Sequence, residues 1–233
     1  MRPADTKNDA MIKLACLLTI YLLTPLLFFS ANAQESLPYS EDIHKFRAAD
    51  SMQMPKENSI LFVGSSSFTK WTDVQDYFPA YPLINRGFGG SCLLDVIMYA
   101  DNIIFPYHPK QIVIYCGEND LAYIDTVSAQ TVANRFTTLF DMIRSVWDSI
   151  PIAYVSVKPS PSREKLMPKM IAANKLIKNF LATKKYTAFI DVYSKMLTAN
   201  GKLMPEIYVE DKLHLNAKGY AIWQKAIVPY LLK

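Results

Sequence analysis

The stretch Ile60-Leu61-Phe62-Val63-Gly64-Ser65-Ser66-Ser67 decides the fold. Four apolar residues in succession, with no polar alternate, describe a strand buried on both faces. Strands of that kind belong to parallel sheets with helices on either side. The glycine and serines that follow end the strand in a polar loop. The same design recurs along the chain. Leu83-Ile84 is a weaker second run, Gln111-Ile112-Val113-Ile114-Tyr115-Cys116 a third, Ile152-Ala153-Tyr154-Val155-Ser156-Val157 a fourth and Thr187-Ala188-Phe189-Ile190-Asp191 a fifth.

The segments between these runs have helical period. Val132, Phe136, Phe140, Ile143 and Trp147 share one helical face, and Leu166, Met170, Ala173, Ile177 and Phe180 share another. A helix is predicted near residues 41–49. A last one opens after Asn216 as N-cap, buries Tyr220, Trp223 and Ile227, and is ended or kinked by Pro229. Strands alternating with helices predict an α/β fold, a three-layer α/β/α sandwich with a five-stranded parallel sheet. No internal repeat, low-complexity stretch or linker divides it.

The N-terminus reads differently. Lys13 precedes an apolar run over residues 14–29, and Ala31-Asn32-Ala33 supplies a small-x-small cleavage pattern. The expectation is a signal peptide over residues 1–33, starting at Met1 or Met11, and one exported domain over residues 34–233. An uncleaved anchor is the competing reading, but Pro25 interrupts a run already near the lower limit for a bilayer. Cys16 precedes most of that run, which argues against a lipoprotein. No later segment is long and apolar enough to span a membrane. The domain keeps two cysteines, Cys92 and Cys116, read as buried thiols with a bridge as the alternative.

Composition narrows the function. Of 233 residues 51% are hydrophobic and 20% charged, which excludes a disordered chain. The net charge of +4 is spread without a basic block, which argues against a nucleic-acid partner. No two of His44, His108 and His214 have zinc-ligand spacing, so no His-rich metal centre is expected. Glycine is scarce, with 7 in all, and each is expected where a side chain would not fit. Gly64, Gly87, Gly89, Gly90 and Gly117 fall in three loops at predicted strand ends, while Gly201 and Gly219 read as ordinary turn and helix glycines.

Ligands of open parallel sheets bind at the carboxyl ends of the strands. There the chain offers Gly64-Ser65-Ser66-Ser67, then Asn85-Arg86-Gly87-Phe88-Gly89-Gly90, then Gly117-Glu118-Asn119-Asp120, with Asp211-Lys212-Leu213-His214 before the last helix. Acyl transfer needs a hydroxyl nucleophile, a base, a carboxylate to orient the base, and donors for the oxyanion. Ser66, opening a helix, suits the first role. Asp211 and His214 lie on one side of a turn and suit the next two. The Gly90 N–H and the Asn119 amide suit the last. Each block alone is commonplace, since serine runs and Asx-rich loops are usually turns. Their conjunction in this order is specific.

These four blocks resemble those of the SGNH hydrolases, the GDSL-type esterases and lipases, over most of the chain from about Ile60 to the last helix. The resemblance implies a flavodoxin-like sandwich and a serine esterase without metal or organic cofactor. Ser66 is the implied nucleophile, with His214 and Asp211 completing the triad. The Ser66 N–H, Gly90 and Asn119 form the implied oxyanion hole. The first block departs from the family's Gly-Asp-Ser-Leu, with Ser65 for aspartate and Ser67 for the aliphatic residue, so Ser65 and Ser67 stand as alternative nucleophiles. If bonded, Cys92 and Cys116 would tie the two donor loops together.

The chain has no Gly-Lys-Ser/Thr or Gly-x-Gly-x-x-Gly phosphate loop after its first strand, and no Gly-x-Ser-x-Gly elbow. With no lid-sized insertion, a short acyl group such as acetate on a sugar or lipid alcohol is the expected substrate. The loop Lys158-Pro159-Ser160-Pro161-Ser162 is a candidate lining for the alcohol side. The rival is a non-catalytic glycan-binding protein on the same scaffold. Such a protein would have no use for Asp211, His214 and Asn119 together.

Overall fold

The computed structural model describes residues 37–233, and the folded unit runs from Tyr39 to Lys233. The predicted signal segment lies outside the described residues. In chain order the elements are α1 (Ser40–Met52), β1 (Ile60–Gly64), α2 (Ser66–Thr69), α3 (Val74–Tyr77), β2 (Leu83–Gly87), α4 (Leu93–Met98), α5 (Ala100–Ile103) and β3 (Gln111–Tyr115). Then follow α6 (Glu118–Tyr123), α7 (Ala129–Val146), β4 (Ile152–Val155), α8 (Met167–Ala182), β5 (Thr187–Ile190) and α9 (Ala217–Ile227).

The five strands form one sheet in the order β2-β1-β3-β4-β5, parallel throughout, as expected. β1 lies at the centre, with Gly64 beside Gly87 on one flank and beside Tyr115 on the other. Every residue of β1 and β3 is buried, because alternate side chains enter two separate cores. Leu61, Val63, Ile112 and Ile114 pack with α4, α7 and α8. Ile60, Phe62, Val113 and Tyr115 pack with Phe68, Trp71, Tyr220 and Trp223 on the opposite face. Removing one such side chain, Phe62 for example, costs about 3–5 kcal/mol.

Asn216 caps α9 by accepting from the Lys218 and Gly219 N–H groups, and the helix stops at Ile227, two residues before Pro229. Two expectations need correction. Gly219 is no ordinary helix glycine, since a Cβ there would lie 2.6 Å from the Ile207 carbonyl oxygen. Gly89 is the reverse: a Cβ would meet nothing within 4 Å, so sterics do not require glycine at that position.

Candidate active site

The polar loops after β1, β2 and β3 meet at one rim of the sheet, because parallel strands all end on the same side. Gly64 allows the sharp exit from β1. Its φ is 143°, and a Cβ would sit 1.9 Å from the Tyr115 carbonyl oxygen of the neighbouring strand. The chain then enters α2, the helix expected at Ser66, which is a single turn of four residues. Ser65 is its N-cap and is buried, whereas Ser66 is half-buried at the rim.

The Ser66 Oγ lies 3.0 Å from the His214 Nε2, and the His214 Nδ1 lies 2.5 Å from the Asp211 Oδ2. The Asp211-x-x-His214 turn closes on itself, with the Asp211 Oδ1 accepting from the Leu213 N–H at 2.9 Å and the His214 N–H at 2.8 Å. Burial raises the pKa of Asp211. The hydrogen bonds from the His214 ring and the two backbone N–H groups outweigh that effect and hold it well below the ordinary carboxylate range. An ionised carboxylate only accepts, so Nδ1 carries the imidazole proton and Nε2 is left to accept from the serine hydroxyl. Neither Ser65 nor Ser67 contacts His214. Ser65 is engaged with Asn119, and Ser67 is buried with its carbonyl held by the Tyr220 hydroxyl at 3.0 Å.

The expected oxyanion donors are arranged less simply. The Asn119 Nδ2 donates to the Ser65 Oγ and to the Ser91 carbonyl, each at 3.0 Å, so both amide protons are engaged. The Ser66 N–H also donates to the Ser65 Oγ, at 2.6 Å. Ser65, which stands where the family pattern has aspartate, therefore accepts from two of the three expected donors. The third, the Gly90 N–H, has no acceptor among the described residues. Gly90 takes a φ of 84°, and its carbonyl accepts from the Tyr39 hydroxyl at 2.9 Å. The Tyr123 and Tyr39 hydroxyls would lie 3.4 and 3.5 Å from a Cβ on Gly90, so two phenols stand beside this residue. Sequence reasoning missed both. Tyr39 comes from the polar lead-in and Tyr123 from the end of α6, and no motif marks either.

Hydrogen bonds join the two donor loops. Besides the Asn119–Ser91 bond, the Asp120 Oδ2 accepts from the Leu93 N–H at 3.0 Å, and its other oxygen pairs with Arg135 at 2.7 Å. Cys92 and Cys116 are free thiols and do not bridge. Burial pushes Cys92 up to about 12 and Cys116 well above its ordinary value, so neither presents a reactive thiolate. His44 and His108 are exposed, and neither hydrogen-bonds to Ser66, His214 or Asp211. Among the described residues no three His, Cys, Asp or Glu side chains could hold a metal ion, and no helix is long and apolar enough to cross a membrane.

A cleft of about 620 Å³ adjoins this rim, lined by Tyr123, Ser162, Arg163 and Lys165 among others. Of the expected lining, Pro161 and Ser162 face this cleft, whereas Lys158, Pro159 and Ser160 are buried, and Arg163 beyond the expected loop joins it. Below the cleft lies a group the sequence did not suggest. Glu118 is buried and accepts from the Tyr115 hydroxyl at 2.6 Å, while Lys158 and Arg163 pair with it at 3.0 and 3.1 Å.

Comparison with known proteins agrees with this architecture. No curated protein matches the chain in sequence. A Streptococcus pneumonia structure assigned as a platelet activating factor superposes with a TM-score of 0.72 at 20% identity, covering 95% of this chain and 99% of that one. A GDSL-like lipase from Bacteroides thetaiotaomicron gives 0.66 at 18% identity, covering 80% and 95%. A variant of an acetyl xylan esterase from Geobacillus stearothermophilus gives 0.60 at 14% identity, covering 75% and 94%. At these identities the likeness is one of fold. The sequence itself matches the model of the GDSL-like Lipase/Acylhydrolase family over residues 58–222, from the start of β1 into α9. The chain belongs to the GDSL-like lipase/acylhydrolase family and is a carboxylic ester hydrolase.

Proposed function

We propose that this chain is an exported serine esterase that removes short acyl groups, acetyl foremost, from a sugar or lipid alcohol. The observation that carries the mechanism is the continuous relay from the Ser66 Oγ through His214 to Asp211. The Ser66 Oγ attacks the ester carbonyl carbon as its proton passes to the His214 Nε2, and Asp211 stabilises the imidazolium that forms. The carbonyl oxygen becomes an oxyanion. It takes the Gly90 N–H, and replaces the Ser65 Oγ as acceptor for the Ser66 N–H and the Asn119 amide. Collapse expels the alcohol, which takes the proton back from His214 and leaves Ser66 acylated. Water, deprotonated by His214, then attacks the acyl carbon. Acid departs and the serine hydroxyl is restored.

Two features favour a small acyl group and a polar alcohol. Tyr39 and Tyr123 narrow the space beside Gly90, and the adjoining cleft presents Ser162, Arg163 and an exposed Tyr123 ring. The acetyl xylan esterase shares the fold. Export rests on the Lys13, apolar-run and Ala31-Asn32-Ala33 pattern.

The test combines p-nitrophenyl acetate, longer acyl esters, acetylated sugars and a fluorophosphonate probe. Turnover falling with acyl length, with labelling of Ser66, is expected. Absence of both turnover and labelling would leave a binding protein on the same scaffold. Detection of the mature protein starting after Ala33 checks export, and retention of the first 33 residues would refute the cleavage.

A further inference from the structure

We infer that Lys158 is a positioning residue for His214, pinning the peptide that carries the base from inside the fold. The inference rests on the esterase reading of the Ser66–His214 relay. Lys158 follows β4 and is 1% exposed, which is unusual for a lysine. Its Nζ donates to the Leu213 carbonyl at 2.8 Å and lies 3.0 Å from the Glu118 Oε2. Glu118 precedes Asn119 and Leu213 precedes His214, so one ammonium spans the donor block and the base-carrying turn.

The Leu213 carbonyl and the His214 N–H belong to one rigid peptide plane. Lys158 holds the carbonyl end, and the Asp211 Oδ1 holds the N–H end at 2.8 Å. With both ends fixed, the backbone of His214 cannot swing, and the ring keeps its Nε2 on the Ser66 Oγ. Besides Lys158, the post-β4 segment reaches the base-carrying turn and its neighbour Tyr208 through neutral hydrogen bonds. The Ser162 N–H donates to the Lys212 carbonyl at 3.1 Å, and the Tyr208 hydroxyl donates to the Pro159 carbonyl at 2.8 Å.

The charge on Lys158 is what needs explaining. Desolvating an ammonium costs several kcal/mol, and a methionine would fill similar space without that penalty. Burial lowers the pKa of Lys158, and Glu118 works against that by favouring the charged form. Burial raises the pKa of Glu118, but Lys158 and Arg163 outweigh it, so Glu118 is a carboxylate. The ion pair thus delivers a charge-assisted hydrogen bond to a single backbone carbonyl, the one next to the base. Such a bond is shorter and roughly twice as strong as a neutral one.

The experiment compares the wild-type protein with Lys158→Met and Lys158→Gln. Fluorophosphonate labelling taken to completion counts competent sites, and kcat and KM are expressed per labelled site. In the methionine variant kcat per site is expected to fall about 10–100-fold with KM within about twofold. The glutamine variant, which keeps a neutral donor, is expected between methionine and wild type. A kcat per site at the wild-type level in either folded variant overturns the inference, whatever happens to Tm. A third readout needs no variant: the His214 amide of the wild type should exchange with solvent deuterium as slowly as the strand amides. Exchange at the rate of an open loop would show that its peptide is not pinned. Failure of the wild type to label or turn over would instead sink the esterase reading and leave the exchange measurement to judge the pinning.

Discussion

The Tyr220 hydroxyl donates to the Ser67 carbonyl at 3.0 Å, joining the turn that carries Ser66 to the helix that begins just past His214. The bond sits within an aromatic cluster. The Trp71 ring stacks on Tyr220 with centroids 4.6 Å apart, and Trp223 meets both Phe68 and Tyr115 edge-on. The spacing between Ser66 and His214 is therefore set by the core beneath them.

Ser66→Ala should abolish turnover and labelling, a loss of at least about 10³-fold in kcat. Ser65→Ala should still be labelled at Ser66. It should lose about 1–2 kcal/mol of stability, because the Asn119 amide gives up a buried acceptor. Mass mapping of the labelled peptide decides between the serines. A label on Ser65 or Ser67 would reassign the nucleophile.

Asn119→Ala should lower kcat about 10²–10³-fold. KM should change much less, since the oxyanion forms only in the transition state. Steady-state kinetics on p-nitrophenyl acetate supply the check. Equal losses in binding and turnover would place Asn119 outside the oxyanion site.

The reaction needs the His214 Nε2 as an acceptor for the Ser66 hydroxyl proton, and Asp211 fixes the tautomer that leaves it so. Asp211 adds no limb to the acid side of the pH–rate profile above the ordinary carboxylate range, because its folded pKa is held well below that range. Asp211→Asn should reduce kcat by about 10²–10⁴-fold through loss of the tautomer and of imidazolium stabilisation. Steady-state kinetics with a pH–rate profile of kcat/KM for both proteins test this, and an undiminished kcat in Asp211→Asn would exclude Asp211 as the orienting carboxylate.

Stability should fall in acid partly through Glu118. Its folded pKa lies below the ordinary 4.5, so the ion pair stabilises fully above that value. Between the folded pKa and 4.5 the unfolded chain binds more protons, so stability is lost as pH falls through this window. Glu118→Gln should be less stable than wild type at neutral pH and show a shallower acid dependence. Urea melts from pH 7 to 3 measure both, and parallel acid slopes would contradict the prediction.

Gly64→Ala should destabilise by about 3 kcal/mol or more, since its Cβ would overlap the Tyr115 carbonyl and force β1 from β3. Thermal melts should show Tm lowered by roughly 6–12 °C. An unchanged Tm would mean that the strand exit relaxes without cost.

The doubly buried strands β1, β3 and β4 were legible because continuous apolar runs leave little choice of environment. The edge strand β2 was legible only at Leu83-Ile84. Its later residues Asn85 and Arg86 are polar, and they find partners that only the fold supplies. The Asn85 amide donates to the Phe68 carbonyl at 2.8 Å, and Arg86 pairs with Asp50 and bonds to Tyr107, 36 and 21 residues away in sequence. The four blocks could be read because each is local. The Glu118–Lys158 pair could not, since its members are 40 residues apart and each looks like a surface charge. The engagement of Asn119 by Ser65 was hidden for the same reason, with 54 residues between them.

Ser66 and His214 stand 148 residues apart in the chain. Closing so long a loop is among the costlier entropic steps of folding, and it is complete only when α9 has docked. Turnover should therefore appear last in a refolding time course, after secondary structure and most of the sheet. A chain emerging amino end first in synthesis would stay chemically silent until α9 arrived. The order in which the chain becomes available therefore itself sets when the activity begins.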